Sequence, residues 1–233
     1  MAGTAWLWVA GSVVLWFISA TLACVVGLVL AGATRHPLTR PLAASVIHVT
    51  RGVPTSLLVV GLGMICLRLP AAPWLPTIFP GTSQAFQLCA WGVATALAFG
   101  SSGHIAVIYL TAWKSVGARR MEQARVLGLS SWRQGALVGR EVVPLVLGAL
   151  GPRLVHHLHN TGFAALFPVT ELFGGVVEMA NETFEVSQAA AFGALIYIAM
   201  SQGIWLLTRA LETRLRPPGP ARTGHVVEVR IPA

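Results

Sequence analysis

Leu7 to Ala33 is a run of 27 residues without a single charged side chain. A helix that crosses the hydrocarbon core of a bilayer needs about 20 such residues. The first basic residue, Arg35, follows the run instead of preceding it. A secretory leader has the opposite order, positive first and apolar second. The run therefore reads as a retained span, with the N-terminus outside and Arg35 inside. Only 10% of the chain is charged, against about 25% in soluble domains, and there is no Asp. Both facts extend the membrane reading to the whole polypeptide.

Four more apolar stretches follow. We expect spans at about Trp8–Ala33, Pro54–Leu67, Ala85–Ala112, Val142–Leu166 and Val186–Leu207. The second is short, and its helix is expected to extend back into Leu42–His48. With the N-terminus outside, residues 34–53, 113–141 and 208–233 are cytoplasmic, and they hold fourteen of the sixteen Lys and Arg residues. That segregation follows the positive-inside rule, and a missed span would invert every loop after it. The expected fold class is an all-α membrane protein of five transmembrane helices with a large cytoplasmic loop. Residues 1–215 form one transmembrane domain, and residues 216–233, rich in Pro and Gly, form a disordered cytoplasmic tail.

Several function classes are excluded. The net charge of +8 lies beside the spans and is not interleaved with aromatics, so it reports topology and not nucleic-acid binding. Cys24, Cys66 and Cys89 sit in apolar runs and read as small core residues. No phosphate loop, nucleophile elbow or His-Glu-x-x-His motif is present. No internal repeat is visible, which weakens an inverted-repeat transporter and leaves a secondary transporter or channel as an alternative. The chain is expected to be no enzyme and to hold no metal or cofactor of its own.

The longest cytoplasmic segment reads Gly117-Ala-Arg-Arg-Met-Glu-Gln-Ala-Arg-Val-Leu-Gly128-Leu-Ser-Ser-Trp132. Helix formers lead to Gly128, where a helix ends in a left-handed residue, and Ser130 stands at the N-cap of a second helix. Met121, Ala124 and Leu127 share a face by three- and four-residue spacing. This helix–turn–helix either rests on lipid or docks a partner protein.

The fourth span carries Gly151-Pro-Arg-Leu-Val-His-His-Leu-His-Asn-Thr161. At about 100° per residue, Arg153, His156, His157 and Asn160 fall in one arc, with His159 to the side. An intramembrane Arg needs a polar cavity or a counter-ion. Arg153 could hold a substrate carboxylate, which a planar guanidinium suits, or bridge to another helix or subunit. Metal binding by the histidines is a third reading, but adjacent helical histidines diverge by about 100°. Arg153, His156, His157, Asn160 and Thr161 are the candidate translocation-path residues.

The chain resembles the permease subunits of ABC importers for polar amino acids. Glu122-Gln123-Ala124, with Gly128 four residues on, is similar to that family's Glu-Ala-Ala, three residues, Gly signature. Arg51-Gly52-Val53-Pro54 resembles its Arg-Gly-Thr-Pro entry to the second span, and Gly128-Leu-Ser-Ser-Trp132 its Gly-Leu-Ser-x-Trp. Asn160-Thr-Gly162, Val169-Thr-Glu-Leu172 and Leu211-Glu-Thr-Arg-Leu215 follow in order. The likeness covers about residues 8 to 215 and implies a type I importer permease in a bacterial inner membrane. It implies two ATP-binding subunits, which carry the ATP and Mg, a second permease subunit (the same chain or another), and an extracytoplasmic substrate-binding protein. It makes Glu122, Ala124, Arg125 and Gly128 the coupling helix that meets the ATPase, and Arg51, Gly52 and Pro54 a helix-entry motif. The sequence departs from the pattern at Gln123, at the late Pro144, and at His104, Val107 and Leu110, where the family often has Tyr, Glu and Arg.

Overall fold

A computed structural model describes residues 2–70, 73–79 and 83–216, apart from the side chains of 2–4 and 117–119. The expected tail beyond Arg216 lies outside the described residues. Among the described residues there are only helices: α1 (Ala2–Ala33), α2 (Arg40–Gly52), α3 (Thr55–Arg68), α4 (Gln84–Val126), α5 (Ser131–Asn160) continued by a 3-10 turn (Thr161–Leu166), α6 (Leu172–Thr183) and α7 (Val186–Leu215).

The chain organises around α4. Its residues Cys89, Ala90, Val93, Ala94, Ala96 and Leu97 are all buried. Small side chains on one helix let its neighbours approach closely, which is how helices associate where the solvent is itself apolar. A Cβ on Gly27 of α1 would lie 2.9 Å from the Ile105 side chain and 3.0 Å from the Ser102 carbonyl. On the other side, a Cβ on Gly92 would meet Cys66 of α3 at 2.5 Å. Leu15, Val59 and Phe167 close one cluster around α4, and Val138, Val142, Val146 and Leu150 of α5 close another.

Among the described residues, four helices are long and apolar enough to cross a bilayer: those over residues 5–33, 84–116, 131–166 and 186–215. The α2–α3 pair makes a fifth when taken as one broken span, bent by 100°. The expected backward extension of the second helix into Leu42–His48 is thus corrected. Those residues form a separate helix. Val53 is extended (φ −87°, ψ 127°), because Pro54 clashes with a preceding α conformation and offers no N–H to continue the ladder. The fourteen residues of α3 reach about 21 Å, short of the roughly 30 Å hydrocarbon core.

The fourth span reaches Leu166 as expected, through the 3-10 turn that continues α5. Helix α5 runs unbroken through both Pro144 and Pro152. Residues 172–183, expected as outer loop, form α6. Glu171 starts it: its carboxylate accepts from the Phe173 N–H (2.7 Å) and the Gly174 N–H, two of the donors a helix N-terminus leaves unpaired. Phe184, in the left-handed region at φ 59°, ends it.

Candidate functional site

The α4–α5 hairpin is built as the spacing suggests, with its cap resolved in detail. The Leu129 N–H donates to the Ala124 carbonyl (3.1 Å) and the Gly128 N–H to the Arg125 carbonyl (2.9 Å). This pair of bonds is a Schellman cap, and it needs a left-handed residue, which Gly128 supplies at φ 67°. The Gln134 side chain donates to the Leu129 carbonyl (2.6 Å) and ties the turn to α5. Ser130 occupies the N-cap position but makes no side-chain cap bond.

Ala124 is fully buried, and Met121 packs on the α4–α5 core. Leu127 leaves the face it was expected to share with them, because it is the helix C-cap and turns outward. Val126, Leu127 and Trp132 are 84%, 72% and 85% exposed, so the tip of the hairpin is an apolar knuckle. Glu122 and Arg125 are exposed beside it. At the base, Arg120 pairs with Glu141 across the hairpin at 2.9 Å and donates to Gln123 at 3.1 Å. That last bond gives Gln123 a local role on the α4 surface.

The polar face of α5 divides in two. His157 is buried, with Ser19 of α1 on Nε2 (2.8 Å) and Ser101 of α4 on Nδ1 (2.7 Å). It ties three helices together, and both ring nitrogens are engaged. Thr161 is also fully buried and donates to the Leu158 carbonyl (2.7 Å). Arg153, His156 and Asn160 stay together on the other side. Arg153 Nη1 lies 3.5 Å from His156 Nδ1, and Asn160 Nδ2 lies 3.4 Å from the same atom. Arg153 Nη2 donates to Ser101 Oγ (3.0 Å) and the Gly100 carbonyl (3.4 Å), while its Nε is buried without a partner. His159 turns away toward α7, 3.1 Å from Ser201 and edge-on to Tyr197.

Two residues join this face that periodicity along α5 could not supply. His104 of α4 lies within electrostatic reach of Arg153, Arg51 and His156. Arg51 is at the end of α2, where its side chain lies against Gly103. Arg51 of the helix-entry motif therefore lies near the polar face, and the Val53-Pro54 bend after it turns the chain into α3. Gly52 is exposed with open space around its Cα. Val107 and Leu110, which stand where the resembled family often has charges, pack with Ala31 and Ile47 of α1 and α2. No carboxylate pairs with Arg153 among the described residues. Arg153 is half-buried, and among the described residues its guanidinium meets neutral groups only, Ser101, the Gly100 carbonyl and His156.

A second buried polar cluster lies near α6. Ser12 accepts from the Leu172 N–H (2.8 Å), and Tyr197 approaches Glu171 (3.5 Å), Thr161 and Ser12. Burial pushes the Glu171 carboxyl up to about 7, against the opposing pull of its bonds from Gly174, Phe173 and Tyr197. Only the acid itself was visible in the sequence.

In shape, the chain is similar to known transporters. It superposes on the crystal structure of an amino acid ABC transporter with histidines at a TM-score of 0.74, with 19% identity, over 91% of this chain and 94% of that one. It also superposes on inward-facing conformations of the MetNI methionine ABC transporter. The native crystal form gives a TM-score of 0.65 and the selenomethionine-soaked form 0.72, each at 14% identity and over 93% of this chain, covering 96% and 100% of theirs. At these identities the likeness is one of fold. No curated protein matches in sequence. Residues 23–217, nearly the whole helical assembly from the middle of α1 to the end of α7, match the sequence profile of the binding-protein-dependent transport system inner membrane components. The chain belongs to that family, and is an inner-membrane permease of the ABC importer type.

Proposed function

We propose that the chain forms the translocation path for a polar amino acid or similar small zwitterion and couples it to a separate ATP-binding subunit through the tip of the α4–α5 hairpin. The observation that carries the coupling is the Schellman-capped turn at Gly128. It holds Val126, Leu127 and Trp132 out as an apolar knuckle, flanked by the charges of Glu122 and Arg125. Exposed aromatic and aliphatic anchors with a charged rim are the usual anatomy of a docking surface. In this reading the N-terminus is outside and the hairpin and C-terminus are cytoplasmic, which the distribution of Lys and Arg supports. ATP and Mg belong to two partner subunits, a second permease completes the path, and an extracytoplasmic binding protein delivers the substrate.

The carboxylate of the substrate is assigned to Arg153, with His156, Asn160 and His104 around it. A guanidinium offers a fork of donors that matches a carboxylate. A second reading rests on the same residues. Arg51, His104, Arg153 and His156 share a neighbourhood, and none of them pairs with a carboxylate among the described residues, which favours a different small polar solute of net negative charge. Uptake into proteoliposomes of the complete transporter, with labelled glutamate, glutamine and arginine in parallel, separates the readings. Glutamine-selective uptake supports the first and glutamate-selective uptake the second. Uptake confined to arginine contradicts both. Co-purification of an ATP-binding subunit tests the coupling: its absence from the membrane complex contradicts it.

A further inference from the structure

The cytoplasmic ends of α1, α4 and α5 leave a groove of about 490 Å³ that the transport reading does not use. Helix α4 forms its floor at Tyr109 and Trp113, and α1 and α5 form its walls. Along α5 the lining runs from Gly139 to Leu150, about 16 Å at 1.5 Å per residue. Most of that wall is aliphatic: Val142, Val146 and Leu150 on α5, faced by Leu28 on α1. Open space lies beside Gly32 and Gly139, where a Cβ would meet nothing within 4 Å among the described residues.

One end of the groove is cationic. The Arg35 guanidinium lies 4.1 Å above the centre of the Trp113 ring, which fixes it at the mouth. Lys114 and Arg140 adjoin the lining residues Trp113 and Gly139 in the chain, and both are exposed. The neighbouring acid, Glu141, is taken up by Arg120. Arg35 has no carboxylate partner among the described residues. A hydrocarbon-lined slot with the Arg35 guanidinium at its mouth complements a lipid with a negative headgroup, and such pockets between helices on the basic side of a membrane protein hold anionic lipids.

We propose that this groove binds one anionic phospholipid, with its phosphate at Arg35 and one acyl chain along Val142 to Leu150. The site is independent of the transported solute.

The test is native mass spectrometry of the full chain, purified with its partner subunits and exposed to mixed micelles of phosphatidylglycerol and phosphatidylcholine with identical acyl chains. The expected result is at least ten-fold preferential retention of phosphatidylglycerol. Arg35→Gln should abolish the preference and Arg35→Lys should keep most of it. Gly139→Leu, which fills open space and favours the helix, should release the lipid while the melting temperature holds. Equal retention of the two lipids overturns the proposal, as does a preference that survives Arg35→Gln. Displacement by glycerol 3-phosphate also overturns it, because it shows an anion site that makes no use of the acyl chain.

Discussion

The Leu129 N–H donates to the Ala124 carbonyl across Gly128, at 3.1 Å, and this bond helps turn α4 into α5 at the tip of the hairpin. Ala124 is buried under the turn while Leu127 is thrown outward. A small residue, a left-handed glycine and an exposed apolar tip are thus parts of one local geometry. The proposed coupling function needs all three.

The knuckle is predicted to contribute to binding and not to folding. Trp132 is 85% exposed, so Trp132→Ala should change the melting temperature of the purified chain very little. It should weaken association with the ATP-binding subunit by about 2 kcal/mol, roughly thirty-fold in Kd, as loss of an aromatic anchor does. Pull-down titration of the two subunits in detergent measures it. Unchanged affinity removes Trp132 from the dock.

His157 should behave in the opposite way. Both its nitrogens are bonded inside the protein, to Ser19 and Ser101. His157→Ala leaves those hydroxyls facing a cavity and should cost about 2–4 kcal/mol, read as a fall in melting temperature and in yield from membranes. Protein that does fold should keep its substrate KM. A changed KM at normal stability would move His157 into the translocation path.

For Arg153 the prediction is selective. Arg153→Gln removes a charge that has no carboxylate partner among the described residues. The fold should therefore tolerate the change, with a melting temperature at or above that of the parent, because an uncompensated charge is costly to hold in a span. Uptake should lose about ten-fold or more in kcat/KM, and Arg153→Lys should recover part of it. Wild-type uptake in the Gln variant eliminates the carboxylate assignment.

Glu171 predicts a pH dependence. Its carboxyl is raised from an ordinary value of 4.5 to about 7 by burial, so the folded chain holds a proton that the unfolded chain releases. The stabilisation is full below about pH 4.5 and is lost as pH rises through 7, on the order of 3 kcal/mol in all. Glu171→Gln, which keeps an oxygen to cap α6, should flatten the melting temperature between pH 5 and 8. A slope that persists in this variant assigns the effect to another group.

Much of the scaffold was legible because membrane spans follow composition and length. The hairpin was legible because Gly128 stands alone between two stretches of helix formers. The bend at Val53-Pro54 was visible as a local break, yet the aliphatic residues of Leu42–His48 argued for a continuous helix. Only the packing of Ala43, Ile47 and Thr50 shows that α2 is amphipathic and lies against α4. Helix α6 was hidden because it is too short to span, and because Glu171 reads as a loop acid until its carboxylate is seen capping the helix. On α5, periodicity placed Arg153, His156, His157 and Asn160 in one arc. It could not divide them, since the division depends on Ser19 and Ser101, which lie on other helices. His104 and Arg51 join the site by tertiary packing alone.

The most direct test is ATP hydrolysis by the complete transporter carrying Gly128→Val in this chain. A β-branched residue in the left-handed region is strained by about 1–2 kcal/mol or more and should collapse the Schellman turn while the spans insert normally. The account predicts that substrate-stimulated hydrolysis and uptake both fall at least ten-fold, with the amount of chain in the membrane unchanged. Hydrolysis and uptake at parental rates would contradict it.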